Sequence, residues 1–430
     1  MAMPIRSAMT SVSRMRTFRV PNHTSREGHI TGDKEQPMKR HFAKVLFSIA
    51  TVAAALGTAQ AADEKPIRVG VALSQSGNLA DSAKHYYQGV ELWRDEVNAR
   101  GGLLGRKVEL VVYDDRSDPA TAARLYEKLI SDDNVDLLFG PWGSASAATA
   151  AAVANKHKRV FLNSGGASEQ IQERGFKYVF QTAAPISAYV ASIGPLADQH
   201  GLKSIAFFGR DYAAARDMAK GIKKIAEDRK LDLKTSEFFP AGTTDFSSMI
   251  AQARQMQPDI WVSVGYPNEA IEMVRQMKAS NYLPKVFIHN GASIEDFLKS
   301  AGKDAEYVFA MSLYEPSLKT KGNPEFVKAY TDRYKTEPGY YSAFSYAGAT
   351  VLEEAVKKAG SVDQDKLRDT LTTLELDTVM GHHKVDPNTG KQIGVTGLLA
   401  QVRDGKREIV MPLDVKTTDA VIPMPAWNKR

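Results

Sequence analysis

After Ala62, short runs rich in Val, Ile, Leu and Phe alternate with longer stretches whose apolar residues recur at helical spacing, and this rhythm most narrows the folds open to the chain. An unbroken apolar run marks a strand covered on both faces, and a helix between two such strands marks a parallel crossover. The sequence predicts strands over 67–74, 107–115, 137–139, 160–164 and 177–182, then over 204–209, 233–239, 259–264, 285–290 and 307–313. Helices are predicted over 82–99, where Tyr86, Val90, Trp93 and Val97 share a face, from Pro119, from Ser144, and over 187–200, 213–229, 246–257, 269–280 and 294–301. Met273 and Met277 lie on the apolar face of the 269–280 helix and read as core filler. From Pro324 the pattern changes to consecutive helices over 325–335, 343–359 and 365–374. A turn at Asp386-Pro-Asn-Thr-Gly390 and a hairpin folding 397–403 onto 408–413 across Asp404-Gly405 complete the reading. Such alternation predicts an α/β fold with a parallel sheet in each of two lobes.

One stretch, Asp136-Leu-Leu-Phe-Gly-Pro-Trp-Gly-Ser144, reads as a buried strand, a tight turn and the opening of an alanine-rich helix. Ligands of open α/β sheets bind beyond the carboxyl ends of the strands, where this turn falls. Ser144 is placed to be the N-cap, and the first amides of its helix would favour an anionic group in the crevice. A carboxylate is the simplest guest.

Residues 1–61 are set apart from the fold. Met38-Lys-Arg-His-Phe-Ala-Lys44 is a basic n-region, residues 45–56 are an uncharged apolar run too short to cross a bilayer, and Ala59-Gln-Ala61 is a small-residue cleavage site. The expectation is a signal peptide over 38–61, translation starting at Met38, and a non-native upstream extension over 1–37. The net charge of +6 belongs to this region: nine of the 56 basic and three of the 50 acidic side chains lie in 1–61, which leaves 47 of each. Bulk charge therefore supplies no basic face for nucleic acid. The chain has no cysteine, which excludes disulfides, thiol catalysis, thiolate metal sites and a lipid-bearing cysteine. These features predict an exported periplasmic protein with two domains.

Motifs of catalysis are missing. There is no G-x-x-x-x-G-K-[ST], no G-x-G-x-x-G after a strand, no G-x-S-x-G and no H-E-x-x-H. His382 and His383 are adjacent and would point to opposite faces of a strand, a poor chelate, and are expected at the surface. Asp114 and Asp115 are expected to shape the turn before Asp118-Pro119. No cofactor, no metal and no enzymatic activity are expected.

The segments Ile67-Arg-Val-Gly-Val-Ala-Leu-Ser-Gln-Ser-Gly77, Gly89-Val-Glu-Leu92, Glu96-Val-Asn-Ala-Arg-Gly-Gly-Leu-Leu-Gly-Arg106, Glu109-Leu-Val-Val-Tyr-Asp-Asp115, Asp118-Pro119 and Arg174-Gly-Phe-Lys-Tyr-Val-Phe180 occur in that order. Together they resemble the leucine/isoleucine/valine-binding proteins, the receptor subunits of ABC importers. The resemblance covers residues 66 to about 413. It implies a type I periplasmic binding fold, two doubly wound lobes joined by three crossovers near 182–185, 313–315 and 391–394. Lobe one would take 66–182 plus 315–391, lobe two 183–314 plus 392–413, and 414–430 would form a C-terminal tail.

The same resemblance implies a site. Ser144 and the loop Gly165-Gly166-Ala167-Ser168 of lobe one would hold a ligand carboxylate, with Trp142 against the ligand's side chain. Tyr212 and Tyr266 would face them from lobe two. Members that bind amino acids carry an acidic residue where this chain reads His289-Asn290-Gly291, so Asn290 joins the ligand-binding set without supplying a charge for an ammonium. Either Glu269 reaches in or the ligand carries no ammonium. The function implied is capture of a small carboxylate-bearing ligand, an amino acid or an aromatic or aliphatic acid or amide, by hinge closure, and its delivery by a monomer to ABC permease subunits. A periplasmic sensor that hands its closed form to a signalling kinase is the alternative reading.

Overall fold

The computed structural model describes residues 65–430. The expected signal peptide and upstream extension lie outside the described residues. The first sheet holds β1 (Ile67–Leu73), β2 (Val108–Asp114), β3 (Leu137–Phe139), β4 (Phe161–Asn163) and β5 (Val179–Gln181) in the order β2-β1-β3-β4-β5. All of its pairings are parallel. The crossovers are α1 (Ala80–Ala99), α2 (Pro119–Ser131) and α3 (Ser144–Lys156), with a 3-10 turn Glu169–Arg174 before β5. Helix α2 starts where the sequence predicts because Asp118 accepts from the Thr121 amide at 2.7 Å and Pro119 needs no donor partner. Asp114 and Asp115 shape the preceding turn, accepting from the Arg116 and Ser117 amides at 2.9 Å each.

The second sheet begins with β6 (Ser204–Arg210), β7 (Asp232–Phe239), β8 (Ile260–Val264), β9 (Val286–His289) and β10 (Phe309–Ser312), mutually parallel. Its helices are α4 (Ile193–His200), α5 (Ala213–Arg229), α6 (Ser247–Met256), α7 (Pro267–Ala279) and α8 (Glu295–Ala301). The predicted 187–200 helix is two pieces, a 3-10 turn Ile186–Val190 and then α4. Pro195 accounts for the break, since it has no N–H to donate to Ala191 and its ring clashes with that carbonyl. After β10 the chain returns to the first sheet as α9 (Asn323–Tyr334), α10 (Tyr340–Ala359) and α11 (Gln364–Thr373), with α10 lying along α1. A small ribbon, β11 (Leu376–Thr378) with β12 (Gly381–His383), follows. The hairpin β13 (Leu398–Arg403) and β14 (Lys406–Met411) then joins the second sheet antiparallel to β10, giving the order β14-β13-β10-β9-β8-β6-β7.

Each lobe has its own core. Trp261, Phe207, Phe208 and Phe287 are enclosed in the second, Trp93, Tyr86 and Phe139 in the first. Burial of one such side chain contributes roughly 1.5–3 kcal/mol. Met273 and Met277 are buried in the second core, as the sequence predicts. The last residues lie along the second lobe, where Met424 is buried and the Trp427 indole donates to Tyr282 O at 3.1 Å.

A third apolar cluster collects all three connections between the sheets: Ala183 and Ala184, then Leu313 and Tyr314, then Val395 and Leu398. The first and third connections are also bonded side by side, with Gln181 N donating to Gly390 O at 2.8 Å and Lys391 Nζ donating to Glu169 at 2.5 Å. His382 and His383 do point to opposite faces, but His383 is buried and not at the surface. The connecting segment covers its face of the ribbon, and Gln392 Nε2 donates to its Nδ1 at 2.7 Å. Among the described residues no helix is long and apolar enough to cross a membrane.

Candidate functional site

The strand orders locate two crevices. In the first sheet the winding reverses between β1 and β3, in the second between β6 and β8, and such reversals open a gap at the carboxyl ends of the strands. The loops after β3, β6 and β8 carry Trp142 and Ser144, Tyr212, and Tyr266 respectively.

On the first lobe the loops after β3 and β4 are tied to each other. The Gly143 amide donates to Gly165 O at 3.1 Å, and the Ser168 amide donates to Ser144 Oγ at 3.2 Å. Gly143, with φ +97°, is the N-cap of α3, and Ser144 is its first helical residue. The expectation of Ser144 as N-cap is thus off by one, because only glycine adopts that backbone readily and the serine hydroxyl is spent on the second loop. The Ser144, Ala145 and Ser146 amides then open the helix, as donors for an anion. Gly166 is fixed by Asn163, which accepts from its amide and donates to its carbonyl, both at 2.9 Å. Beneath them the buried Tyr86 hydroxyl donates to Gly140 O at 2.9 Å and also meets Ser164 Oγ.

Trp142 is half-buried. Its ring is bordered by Tyr86, Tyr340, Tyr341 and Phe344, with the Tyr341 ring 4.6 Å away and edge-on. It packs under its loop, while its position before Ser144 keeps it beside the helix opening.

On the second lobe Tyr212 caps α5 and Tyr266 caps α7, and their rings stack with centroids 6.0 Å apart at 21°. Tyr266 is 52% exposed. The Arg210 guanidinium also lies over the Tyr266 ring, 4.6 Å from its centroid. Glu269 closes a capping box on α7: its Oε2 accepts from the Tyr266 amide at 2.5 Å and its Oε1 from Arg210 Nη1 at 3.1 Å. Asn290 Oδ1 accepts from the Gly265 amide at 2.8 Å, and its side chain lies beside the Tyr212 hydroxyl. Burial pushes that hydroxyl well above the usual phenol range, with Tyr266 and Glu269 adding to the shift.

Further tyrosines gather near Tyr212. Burial pushes the Tyr340 hydroxyl up, and Tyr341, Tyr189 and Tyr212 all lie near enough to reinforce it. Tyr340 and Tyr341 open α10 on the first lobe, Tyr189 follows the first connection, and Tyr212 belongs to the second lobe. Ala167, whose carbonyl accepts from the Ile186 amide at 2.9 Å, packs on the second core with Tyr189 and Tyr212. The structure therefore brings Trp142, Ser144 and Gly165 to Ser168 together, and Tyr212, Tyr266 and Asn290 together, with Tyr340, Tyr341 and Tyr189 in the neighbourhood of Tyr212. Sequence reasoning missed Tyr340 and Tyr341, whose signal was an aromatic pair after Pro338-Gly339, and Arg210, at a strand end before Asp211-Tyr212. Tyr189 carried no signal. Such a lining can bind and orient a small polar ligand between helix amides and phenol rings. Among the described residues no three His, Asp or Glu side chains gather as a metal site.

A periplasmic binding protein family model matches residues 66–407. The chain belongs to this family. Among its relatives is the Leu/Ile/Val-binding protein homolog 7 of Brucella abortus (strain 2308), 27% identical over 387 residues, covering 85% of this chain and 96% of the relative. The branched-chain amino acid transporter substrate-binding protein LivJ of Streptococcus pneumoniae, solved with isoleucine, superposes with a TM-score of 0.68 at 25% identity, over 81% of this chain and 100% of LivJ. A putative branched-chain amino acid ABC transporter protein of Silicibacter pomeroyi superposes with a TM-score of 0.76 at 21% identity, over 84% of this chain and 99% of its own. The two-lobed architecture is thus the type I periplasmic binding fold, and this binding protein sits in the leucine/isoleucine/valine-binding group.

Proposed function

We propose that this binding protein is the periplasmic substrate-binding component of an ABC importer. It captures a small carboxylate-bearing ligand by closing its lobes, and hands it unchanged to the permease subunits. The lobes are taken as 66–182 plus 315–391 and 183–314 plus 392–413, with the hinge where the three connections cluster. The observation that carries the reading is the coupling of the loops after β3 and β4 at Ser144 and Ser168, together with the Tyr212–Tyr266 stack at the strand ends of the other lobe. Helix amides and a serine hydroxyl suit a carboxylate, and phenol rings suit a compact organic body. Ser144, Gly165, Gly166, Ala167 and Ser168 would hold the charge, and Trp142, Tyr212, Tyr266 and Asn290 would shape the remainder. LivJ, bound to isoleucine, shows one ligand class within reach of the fold. Hinge closure then amounts to a population shift driven by contacts made only in the closed form.

The test is a thermal-shift screen of the purified protein over amino acids, aromatic acids, short carboxylates and amides. A ligand at 100 times its Kd adds about 2.7 kcal/mol to stability. At least one carboxylate is expected to raise Tm and to be recovered unaltered. No shift with any carboxylate, or recovery of a converted product, overturns the reading.

A further inference from the structure

Resting on the carboxylate-binding reading above, we infer that Arg210 is a specificity-determining residue that makes this site select carboxylates without an α-ammonium and with a hydrogen-bond acceptor, a carbonyl or second carboxylate, at the distal end. Glu269, the acid that could have met an ammonium, is committed. It is 6% exposed, its Oε1 accepts from Arg210 and its Oε2 from the Tyr266 amide. Asp211 is engaged by Arg216 at 2.5 Å. Asn290 spends its oxygen on the Gly265 amide, so what it offers its surroundings is its NH₂ group.

Arg210 has the opposite character. One of its N–H groups reaches Glu269, and the others have no partner among the described residues. Its side chain is 27% exposed, and its planar face covers Tyr266, so the fork is held in a fixed orientation beside the Tyr212–Tyr266 stack. The lobe-two wall therefore carries a charge-balanced pair with surplus donors. An ammonium placed there would meet a guanidinium and an amide NH₂, with only neutral phenol hydroxyls to accept its protons and no free carboxylate to offset its charge. A carbonyl or carboxylate would gain a charge-assisted bond from a pre-oriented donor.

The probes are two matched sets: L-leucine, 4-methylpentanoate and adipate, and L-phenylalanine, benzoate and terephthalate. Titration calorimetry on the purified protein is expected to show, in at least one set, the diacid binding at least tenfold tighter than the α-amino acid. Arg210→Gln should weaken that diacid at least tenfold while changing the monoacid less than threefold, which also reports that the variant is folded. Because Arg210→Gln leaves a buried carboxylate unpaired, the double variant R210Q/E269Q is measured alongside. It removes both charges and keeps an acceptor for the Tyr266 amide, and it should show the same selective loss. The inference is overturned if the α-amino acid is the tightest member of both sets, or if monoacid and diacid respond alike in both variants. Binding by none of the six overturns the carboxylate reading itself.

Discussion

The amide of Ser168 donates to the hydroxyl of Ser144 at 3.2 Å, which ties the loop after β4 to the first residue of α3. Any displacement of one strand end is thereby passed to the other. Ser144→Ala removes this acceptor together with a donor at the opening of α3. A lost bond to a charged partner is worth about 1.5–3 kcal/mol, so ligand affinity should fall about tenfold to a hundredfold. Folding stability should fall by only about 1 kcal/mol, the worth of one neutral hydrogen bond. Calorimetric Kd and a urea unfolding midpoint, measured on the same variant, check the split. Unchanged affinity would place the carboxylate elsewhere.

Tyr266 is 52% exposed, with the Tyr212 ring stacked on it and the Arg210 guanidinium over it. A ring that open contributes little to folding: stacking and cation–π contacts at exposed sites add about 0.5–1 kcal/mol each. Tyr266→Ala should therefore leave the unfolding free energy within about 2 kcal/mol of wild type and weaken ligand binding at least tenfold. Tyr266→Phe should restore most of the affinity, since the ring and not the hydroxyl makes the stack. A large stability loss with binding intact would assign Tyr266 to the scaffold.

The placement of these two residues at strand ends was legible from the sequence because local signals mark it. Ser144 follows a strand and a Gly-Pro-Trp-Gly turn, and Tyr266 stands between Gly265 and Pro267 where β8 stops. The strands were legible for the same reason: β3 is an apolar triplet bounded by Asp136 and Gly140, and it occupies the predicted residues 137–139. What escaped notice depends on pairing across the chain. Arg210 meets Glu269 at a separation of 59 residues, and Lys391 meets Glu169 at 222, and no local pattern announces either. The shift of the α3 cap from Ser144 to Gly143 depends on a positive φ and on where a hydroxyl turns, both set by the neighbouring loop. His383 escaped because a strand of three residues does not reveal that a connection covers one of its faces.

Two buried imidazoles set the response to acid. Burial pushes His289 down to about 3 and His383 down to about 4, the latter also repelled by His382. His289 Nδ1 accepts from the Gly291 amide at 2.9 Å, which keeps the ring neutral, and its Nε2 is buried without a partner among the described residues. An unfolded histidine protonates near pH 6.5, so between there and about pH 4 the unfolded chain binds more protons than the folded one at both positions. Stability is full above about pH 6.5 and falls as the pH drops, at up to roughly 1.4 kcal/mol per pH unit for each histidine. His289→Asn keeps an acceptor for Gly291 and removes one titrating group. Urea midpoints from pH 7 to 4.5 should show a shallower slope for this variant, by about 1 kcal/mol per pH unit. An unchanged slope would mean that His289 titrates normally.

Gly165 is the position where the binding loops tolerate least. A Cβ built there would lie 2.2 Å from Pro141 O and 2.9 Å from Trp142 Cα. Those are backbone atoms of the loop after β3, so no side-chain rotation relieves the clash. In Gly165→Ala the two loops must separate, which lengthens the 3.1 Å bond from the Gly143 amide to Gly165 O and moves Ser144 away from Ser168. Overpacking of this kind costs about 1–3 kcal/mol of folding stability. The effect on binding should be larger, because the displaced groups are those that meet the carboxylate: Kd should rise more than about a hundredfold, equivalent to 2.7 kcal/mol or more. Gly242→Ala supplies the control. Gly242, unlike Gly165, has a positive φ of +83° and nothing within 4 Å of its Cβ position, so its alanine is strained by about 1–2 kcal/mol without moving either loop. Two variants of similar stability and opposite binding behaviour separate damage to the site from damage to the fold. If Gly165→Ala bound ligand as tightly as Gly242→Ala, the loops after β3 and β4 would not be the carboxylate wall.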